Sequence, residues 1–236
     1  VRNVTGHVYR AVRGVTRAVG GGLDALLGQL APLVADVPDT SSREALVAAL
    51  NGVLGDYLAR TANPLAIAMR MRRDGVPLGL ERDALAARVT RPSSTLVVAV
   101  HGLCMNDLQW SRAGHDHAEA LARDLGGTAV YLRYNSGLHV STNGRELAAL
   151  LEALVDAWPV PVARIVVLGH SMGGLVARSA AHYGGLAGHR WRTVLEIAMI
   201  SSQLIGWRFC GMVEEAPRPV TNGSNTSPIS VCIASE

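Results

Sequence analysis

The sequence has 236 residues, of which 49% are hydrophobic and only 4% aromatic, so it can bury a sizeable core built mainly of aliphatic side chains. This length suits one α/β domain with an appendage. The net charge of +3 is too small to favour a nucleic-acid-binding protein. No run approaches about 18 consecutive apolar residues, so no membrane span is predicted.

The cysteines and the first residues bear on the cellular compartment. Cys104, Cys210 and Cys232 are odd in number and have no metal-ligand spacing, which favours free thiols in a reducing compartment. A Cys210–Cys232 bridge is the alternative. No signal peptide is recognisable after Val1, so we expect a cytoplasmic protein unless a secretion signal has already been removed.

The N-terminal quarter of the chain, residues 1–62, is expected to form a helical appendage. Over residues 1–19, valines at near-helical spacing alternate with arginines. Two interpretations stay open: a basic amphipathic helix in weak contact with an anionic membrane surface, or a helix that covers part of the domain with its arginines in water. The apolar period over residues 43–58 predicts a further helix.

Residues 63–204 have the pattern of an α/β core. Alternating residues at 65–71, the dipeptide Asp74-Gly75 and residues 76–80 predict a β-hairpin. Strands and helices then alternate, which predicts a mostly parallel sheet with helices on both faces and right-handed crossovers. The predicted strands cover 95–100, 128–134, 165–168 and 193–200, and the predicted helices cover 115–125, 143–158 and 175–183.

Particular residues mark where these elements end. Asn143 predicts a helix N-cap, because Glu146 follows three residues later in a capping-box pattern. Gly184 and Gly185 predict the end of the helix over 175–183. We expect an irregular or disordered tail over residues 205–236, because it lacks a clear period and because residues 217–228 are rich in Pro, Thr, Asn and Ser.

The most informative motif is Gly-His-Ser-Met-Gly-Gly at residues 169–174. It follows a β-branched run and precedes a helical pattern, which is the context of a nucleophile elbow. Such a turn holds Ser171 in a strained conformation at the strand tip, with Gly169 and Gly173 where a Cβ would clash. The sequence therefore predicts a nucleophilic serine, with His170 packed behind it.

Serine acylation needs backbone donors for the oxyanion of the tetrahedral intermediate. One predicted donor is the N–H of Met172, directly after the serine at the N-terminus of a helix. The other comes from the loop His101-Gly102-Leu103 after the strand over 95–100. Gly102 lets that backbone approach a substrate, and the N–H of Leu103 is the predicted donor.

These paired motifs resemble those of a known superfamily. The segments VVAVHGL at 97–103 and VVLGHSMGGLVAR at 166–178 are similar to the α/β-hydrolase lipases and esterases, and especially to bacterial lipase-like proteins related to the GPI inositol-deacylase group. The resemblance implies an α/β-hydrolase fold, with Ser171 as nucleophile and Leu103 and Met172 as oxyanion donors. It also implies hydrolysis of a carboxylic ester or lipid through an acyl-enzyme, without metal or organic cofactor.

The sequence departs from this superfamily in the rest of the triad. The superfamily order is Ser, then Asp or Glu, then His, but no Asp follows Ser171. His182 lies about three helical turns from the elbow, on the order of 15 Å away, and His189 follows the same helix, so neither is expected to act as base. The triad acid and base therefore stay unassigned, and a truncated or replaced C-terminal part is the simplest expectation. The later carboxylates are Glu196, Glu214, Glu215 and Glu236.

Alternatives follow from this gap. A nonstandard acid or base is sought upstream, among Asp107, His115, Asp116, His117, His101 and His170. For His115 to His117, the competing interpretation is a solvated helix cap. An acyltransferase using the same serine, or a catalytically impaired hydrolase-like protein that binds lipid or a partner, are the other functions considered. The oligomeric state is not predicted.

Overall fold

The computed structural model describes residues 40–200 and 231–233. The expectations for the basic helix over residues 1–19 and for most of the C-terminal tail lie outside these residues. In the described part, no helix is long and apolar enough to cross a membrane. The predicted alternation of strands and helices is confirmed between residues 95 and 200.

A mostly parallel sheet of seven strands, as far as the chain is described, forms the centre of the fold. Its strands are β1 (Arg70–Arg73), β2 (Val76–Pro77), β3 (Thr95–Val100), β6 (Thr128–Arg133), β7 (Arg164–His170), β8 (Leu195–Ile200) and β9 (Val231–Ile233). The order across the sheet is β2-β1-β6-β3-β7-β8-β9. Strand β1 is antiparallel to both of its neighbours, and all other pairs are parallel. Strands β4 (Ser111–Arg112) and β5 (His115–Asp116) form a separate small hairpin.

Helices cover both faces of the sheet, as the sequence predicts. They are α1 (Thr40–Arg60), α2 (Arg82–Arg88), α3 (His117–Asp124), α4 (Val140–Ala157) and α5 (Met172–Leu186). Alternate residues of the central strands enter two separate cores, because successive side chains in a strand point to opposite faces. Val98 and Val167 pack with α4 and α5, whereas Val97 and Val166 pack with α3. The fold class expected from the resemblance is therefore confirmed.

The predicted hairpin is present but shorter than expected. Asp74 and Gly75 both have positive φ, 52° and 71°, as a two-residue hairpin turn of the primed type requires. Strand β1 begins at Arg70 rather than at 65, because the buried side chain of Asn51 bonds to the backbone of Leu65 and Ile67 instead. These bonds fasten the segment before β1 to helix α1.

Two predicted helix ends are wrong. Helix α4 begins at Val140 after His139, and Asn143 lies inside the helix, where it donates a hydrogen bond of 3.0 Å to the carbonyl of Asn135. Helix α5 continues through Gly184 and Gly185 to Leu186. A Cβ on Gly184 would lie 2.5 Å from Trp191, so this glycine serves close packing rather than helix termination.

The start of one helix and the expected structure of the C-terminal segment are also corrected. The predicted helix over 115–125 begins at His117, because Asp116 accepts hydrogen bonds from the N–H groups of Ala118 and Glu119 as an N-cap. In the segment 205–236, expected to be irregular, Val231–Ile233 forms strand β9 parallel to β8. The triplet Val-Cys-Ile suits a strand, since β-branched residues favour extended backbone.

Candidate active site

Ser171 occupies the sharp turn between β7 and α5. Its backbone has φ 52° and ψ −121°, a sparsely populated combination that costs a non-glycine residue about 1–3 kcal/mol. The residue is exposed, and its side chain makes no capping hydrogen bond to α5. The predicted strand, turn and helix geometry is therefore confirmed.

The glycines around Ser171 are required by close backbone contacts. A Cβ on Gly169 would lie 2.7 Å from Gly174 Cα, and one on Gly173 would lie 2.6 Å from the carbonyl oxygen of His101. Real Cβ atoms essentially never approach other heavy atoms this closely. The turn thus presses the start of α5 against the end of β3, which couples the two segments that carry the predicted oxyanion donors.

The strand register brings these two segments together. Val100 on β3 pairs in parallel with Gly169 on β7, so the peptides after each residue leave the sheet side by side at its carboxyl edge. This is the edge where open α/β sheets bind ligands. Leu103 follows Val100 by three residues, Met172 follows Gly169 by three residues, and Ser171 lies between them in the same turn region.

The loop after β3 is shaped by Gly102 and leaves Leu103 half exposed. A Cβ on Gly102 would lie 2.9 Å from His170 Nδ1, so only glycine fits against that ring. The carbonyl of Gly102 accepts a bond of 3.3 Å from the N–H of Met105. The side chain of Leu103 is 50% exposed. Among the described residues, its own N–H makes no backbone hydrogen bond.

His101 is a buried structural residue. Its ring stacks on Tyr134 with centroids 4.3 Å apart, and its Nδ1 lies 2.9 Å from the carbonyl oxygen of Gly102. Burial lowers the pKa of His101 to about 4. The imidazole is therefore neutral near pH 7 and is enclosed beneath the loop rather than presented to a substrate.

His170, the residue directly before Ser171, is buried. His170 is 7% exposed, and neither nitrogen of its ring has a hydrogen-bond partner among the described residues. Burial lowers its pKa. A neutral ring packed against Gly102 fills space under the turn, so the two motif histidines support the loop and the elbow from below.

The other proposed acids and bases have partners elsewhere. The carboxylate of Asp107 is 2.9 Å from Arg72 Nη1. Asp116 caps α3 and accepts a hydrogen bond of 2.8 Å from the hydroxyl of Tyr131. His115 and His117 contact each other edge to face at 4.8 Å. In residues 41–197, no carboxylate or imidazole is hydrogen-bonded to Ser171, and no group of three or more His, Cys, Asp or Glu side chains could hold a metal ion.

The histidines after the elbow lie where the sequence places them. His182 is exposed on the third turn of α5, and its ring contacts that of Tyr183. His189 lies beyond the helix, where its Nδ1 is 3.3 Å from Trp191 Nε1. Both belong to the far end of α5, away from the turn at Ser171.

The segment after β6 is a part of the site that the sequence analysis missed. Tyr134 donates a 2.8 Å hydrogen bond to the carbonyl of His101, and Ser136 accepts one of 3.1 Å from the N–H of Cys104. Asn135 donates to the carbonyl of Gly55 on α1 at 2.9 Å. A usable signal was present, because polar residues directly after a parallel strand lie at the carboxyl edge.

One of three comparisons with known proteins found a match. A family model described as PGAP1-like alpha/beta domain matches residues 91–203, a range that contains both β3 with its loop and β7 with the elbow. No curated protein and no solved structure matches the chain at a significant level.

Proposed function

We propose that this protein is a serine hydrolase that cleaves carboxylic esters through an acyl-enzyme on Ser171. The match of residues 91–203 to a family model described as PGAP1-like alpha/beta domain supports a hydrolase-type domain. The single observation that carries the proposal is the exposed, strained Ser171 at the junction of β7 and α5. Strain at a solvent-facing polar residue is typical of functional positions.

The reaction proceeds in two halves. The Oγ of Ser171 forms a bond to the ester carbonyl carbon, its proton passes to a base, and the carbonyl oxygen becomes an oxyanion. Collapse breaks the bond to the alkoxide, which leaves as the protonated alcohol. Water then attacks the acyl-enzyme in the same manner, and the products are a carboxylic acid and free Ser171.

Two backbone N–H groups support stabilisation of the oxyanion. Met172 is the first residue of α5, and the first N–H groups of a helix have no intrahelical acceptor. The helix adds positive potential at this end. We assign the second donor to Leu103. Loss of one such donor typically lowers turnover by about 10²–10³-fold.

The surroundings of Ser171 favour an ester with an apolar acyl group. Leu103 is 50% exposed and Leu175, one helical turn beyond Ser171, is 52% exposed. These two exposed side chains, one in the loop after β3 and one on the first turns of α5, offer apolar surface to an acyl chain. We therefore propose ester or lipid substrates. The acid and base that complete the catalysis are not assigned to any described residue.

Covalent labelling tests the proposal directly. We expect a fluorophosphonate probe to label Ser171 of the wild-type chain and p-nitrophenyl butyrate to be hydrolysed, with both signals lost in Ser171→Ala. Ser94→Ala is the matched control, since Ser94 is exposed directly before β3, at the sheet edge opposite to Ser171, and it should behave as wild type. Equal labelling of wild type and Ser171→Ala would disprove the nucleophile assignment.

The same assay separates the alternative functions. Labelling of Ser171 without measurable turnover favours the impaired hydrolase-like protein, because the serine is then accessible but lacks its base. Turnover that yields a new ester when glycerol is present, rather than only free acid, favours acyl transfer. If free acid is the product both with and without glycerol, the result supports hydrolysis.

A further inference from the structure

A pocket at the edge of the sheet carries an excess of positive charge that the proposed chemistry does not use. It has a volume of about 400 Å³ and lies between helix α1, the segment 64–68, hairpin β1–β2 and the end of β6. Four of its lining residues are arginines: Arg43, Arg70, Arg72 and Arg133.

The strand register explains why arginines gather there. Arg70 and Arg72 lie two residues apart on β1, so their side chains leave the same face of the sheet. Arg133 is the direct cross-strand partner of Arg70, and cross-strand partners share a face. Arg43 joins them from the first turn of α1. Four like charges are thereby concentrated in a small volume.

Two carboxylates neutralise only the inner pair of arginines. Asp107, 4% exposed, lies 2.9 Å from Arg72 and 3.8 Å from Arg133. Glu44 forms ion pairs with the same two arginines, at 3.6 Å in the case of Arg72. These pairs balance the buried guanidinium groups, as buried charges require.

The outer arginines, Arg43 and Arg70, differ from the inner pair in their exposure and in their lack of a carboxylate partner within residues 41–197. Arg43 and Arg70 are exposed at the pocket, and neither forms a salt bridge with another described residue. Counted over the described residues alone, these four arginines exceed Glu44 and Asp107 by two positive charges. In addition, the Nε of Arg72, a residue only 8% exposed, lacks a hydrogen-bond partner among residues 41–197.

The rest of the pocket wall is apolar and rigidly held. Val47, Leu65, Ile67 and Pro77 line it. Asn51 is fully buried. Its side chain donates a hydrogen bond of 2.8 Å to the carbonyl of Leu65 and accepts one of 2.9 Å from the N–H of Ile67. The wall is thus formed before any ligand arrives, which reduces the entropy lost on binding.

We propose that this pocket binds the phosphate group of an organic phosphate. Two free guanidinium groups match the charge of a phosphate monoester, and arginine donates paired hydrogen bonds to phosphate oxygens. The apolar wall contacts the organic part of the ligand. The site is separate from Ser171, since Arg133 ends β6, which is two strands from β7, or about 10 Å in the plane of the sheet.

Phosphate titration by isothermal calorimetry at constant ionic strength tests the site. We expect wild type and Ser171→Ala to bind inorganic phosphate equally, and Arg43→Gln/Arg70→Gln to bind it about tenfold more weakly or worse. The control Arg88→Gln/Arg123→Gln removes two exposed charges elsewhere and should match wild type. Both double variants are expected to fold, because all four side chains are exposed.

Two further ligands identify the source of the phosphate. Tighter binding of glycerol 3-phosphate than of inorganic phosphate supports a soluble ligand. Binding to phosphatidic acid vesicles but not to phosphatidylcholine vesicles, lost in Arg43→Gln/Arg70→Gln, supports a lipid headgroup. Equal affinity of the two double variants, or no phosphate binding by wild type, would overturn the proposal and leave the arginines a structural role only.

Discussion

The hydroxyl of Tyr134 donates a 2.8 Å hydrogen bond to the main-chain carbonyl of His101, and the two rings stack with centroids 4.3 Å apart. Tyr134 is 1% exposed and His101 is fully buried. The bond fixes the peptide that follows His101, just after β3, and a Cβ on Gly173 at the start of α5 would lie 2.6 Å from the same carbonyl oxygen. Tyr134 thus acts as a positioning residue for the loop that contains Leu103.

Tyr134→Phe is therefore expected to affect both stability and reactivity. It leaves the buried carbonyl of His101 without a donor, which costs about 1–3 kcal/mol of unfolding free energy. We expect slower fluorophosphonate labelling of Ser171 at a pH where the variant is fully folded. Tyr183→Phe is the control, since its hydroxyl accepts a hydrogen bond from the exposed Arg145 on the outer side of α4 rather than from a site loop, and it should label at the wild-type rate. Equal labelling rates for all three proteins would contradict the positioning role.

Substitution of Ser171 by glycine is expected to stabilise the fold while removing the reactive hydroxyl. Glycine adopts positive φ without strain, so the substitution relieves about 1–3 kcal/mol of backbone strain at φ 52°. Part of this gain is offset because glycine raises the conformational entropy of the unfolded chain. A net gain of about 1 kcal/mol corresponds to about 2–4 °C in Tm for a chain of this size. Ser171→Ala keeps the strained backbone, so its Tm should equal that of wild type. A Tm for Ser171→Gly at or below that of Ser171→Ala would refute the strain.

Helix α1 is expected to depend on glycine where it contacts the site loops. A Cβ on Gly55 would lie 2.8 Å from Asn135 Cγ and 2.9 Å from Gly137 Cα. Gly55→Ala should therefore cost about 1–3 kcal/mol by overpacking, measured by urea unfolding. Gly185 also lies within a helix, but a Cβ there would lie 3.5 Å from its nearest neighbour, Arg192 Nε. Gly185→Ala should therefore raise the unfolding free energy by up to about 1 kcal/mol. If both variants shift the urea midpoint in the same direction and by the same amount, the close contact between Gly55 and the site loops does not explain the effect.

Acid is expected to weaken the fold through His101. Burial lowers its pKa to about 4 from 6.5, so the unfolded chain binds a proton at pH values where the native chain does not. The stabilisation is complete above pH 6.5 and falls by about 1.4 kcal/mol per pH unit until the native pKa near 4. His170, whose pKa is also lowered, contributes in the same direction.

Urea unfolding between about pH 7.5 and pH 4.5 measures this effect. The variant His101→Phe retains an aromatic ring against Tyr134 but has no proton to gain. We expect the unfolding free energy of His101→Phe to change less steeply with pH than that of wild type. The difference in slope should correspond to about one proton fewer taken up on unfolding. Identical slopes would mean that His101 is not the group responsible.

The sequence by itself determined the elements whose signals are local. The apolar run at 95–100 indicated a strand buried on both faces, Asp74-Gly75 indicated the hairpin, and the glycines around Ser171 indicated a strained turn between strand and helix. Each of these signals acts within a few residues, through side-chain period or through the φ that a residue tolerates. The family model matches residues 91–203, a range that contains the strand at 95–100 and the turn at Ser171 but not the hairpin.

Only the tertiary structure decided what surrounds Ser171. Tyr134 meets His101, Asn135 meets Gly55, and the arginines meet Glu44 and Asp107 across long stretches of chain. Asn143 and Gly184 were mistaken for helix ends because their packing partners are distant in sequence. A local pattern reports backbone preference and periodicity, whereas contacts between remote segments depend on sheet order and register, which set the neighbours of each side chain.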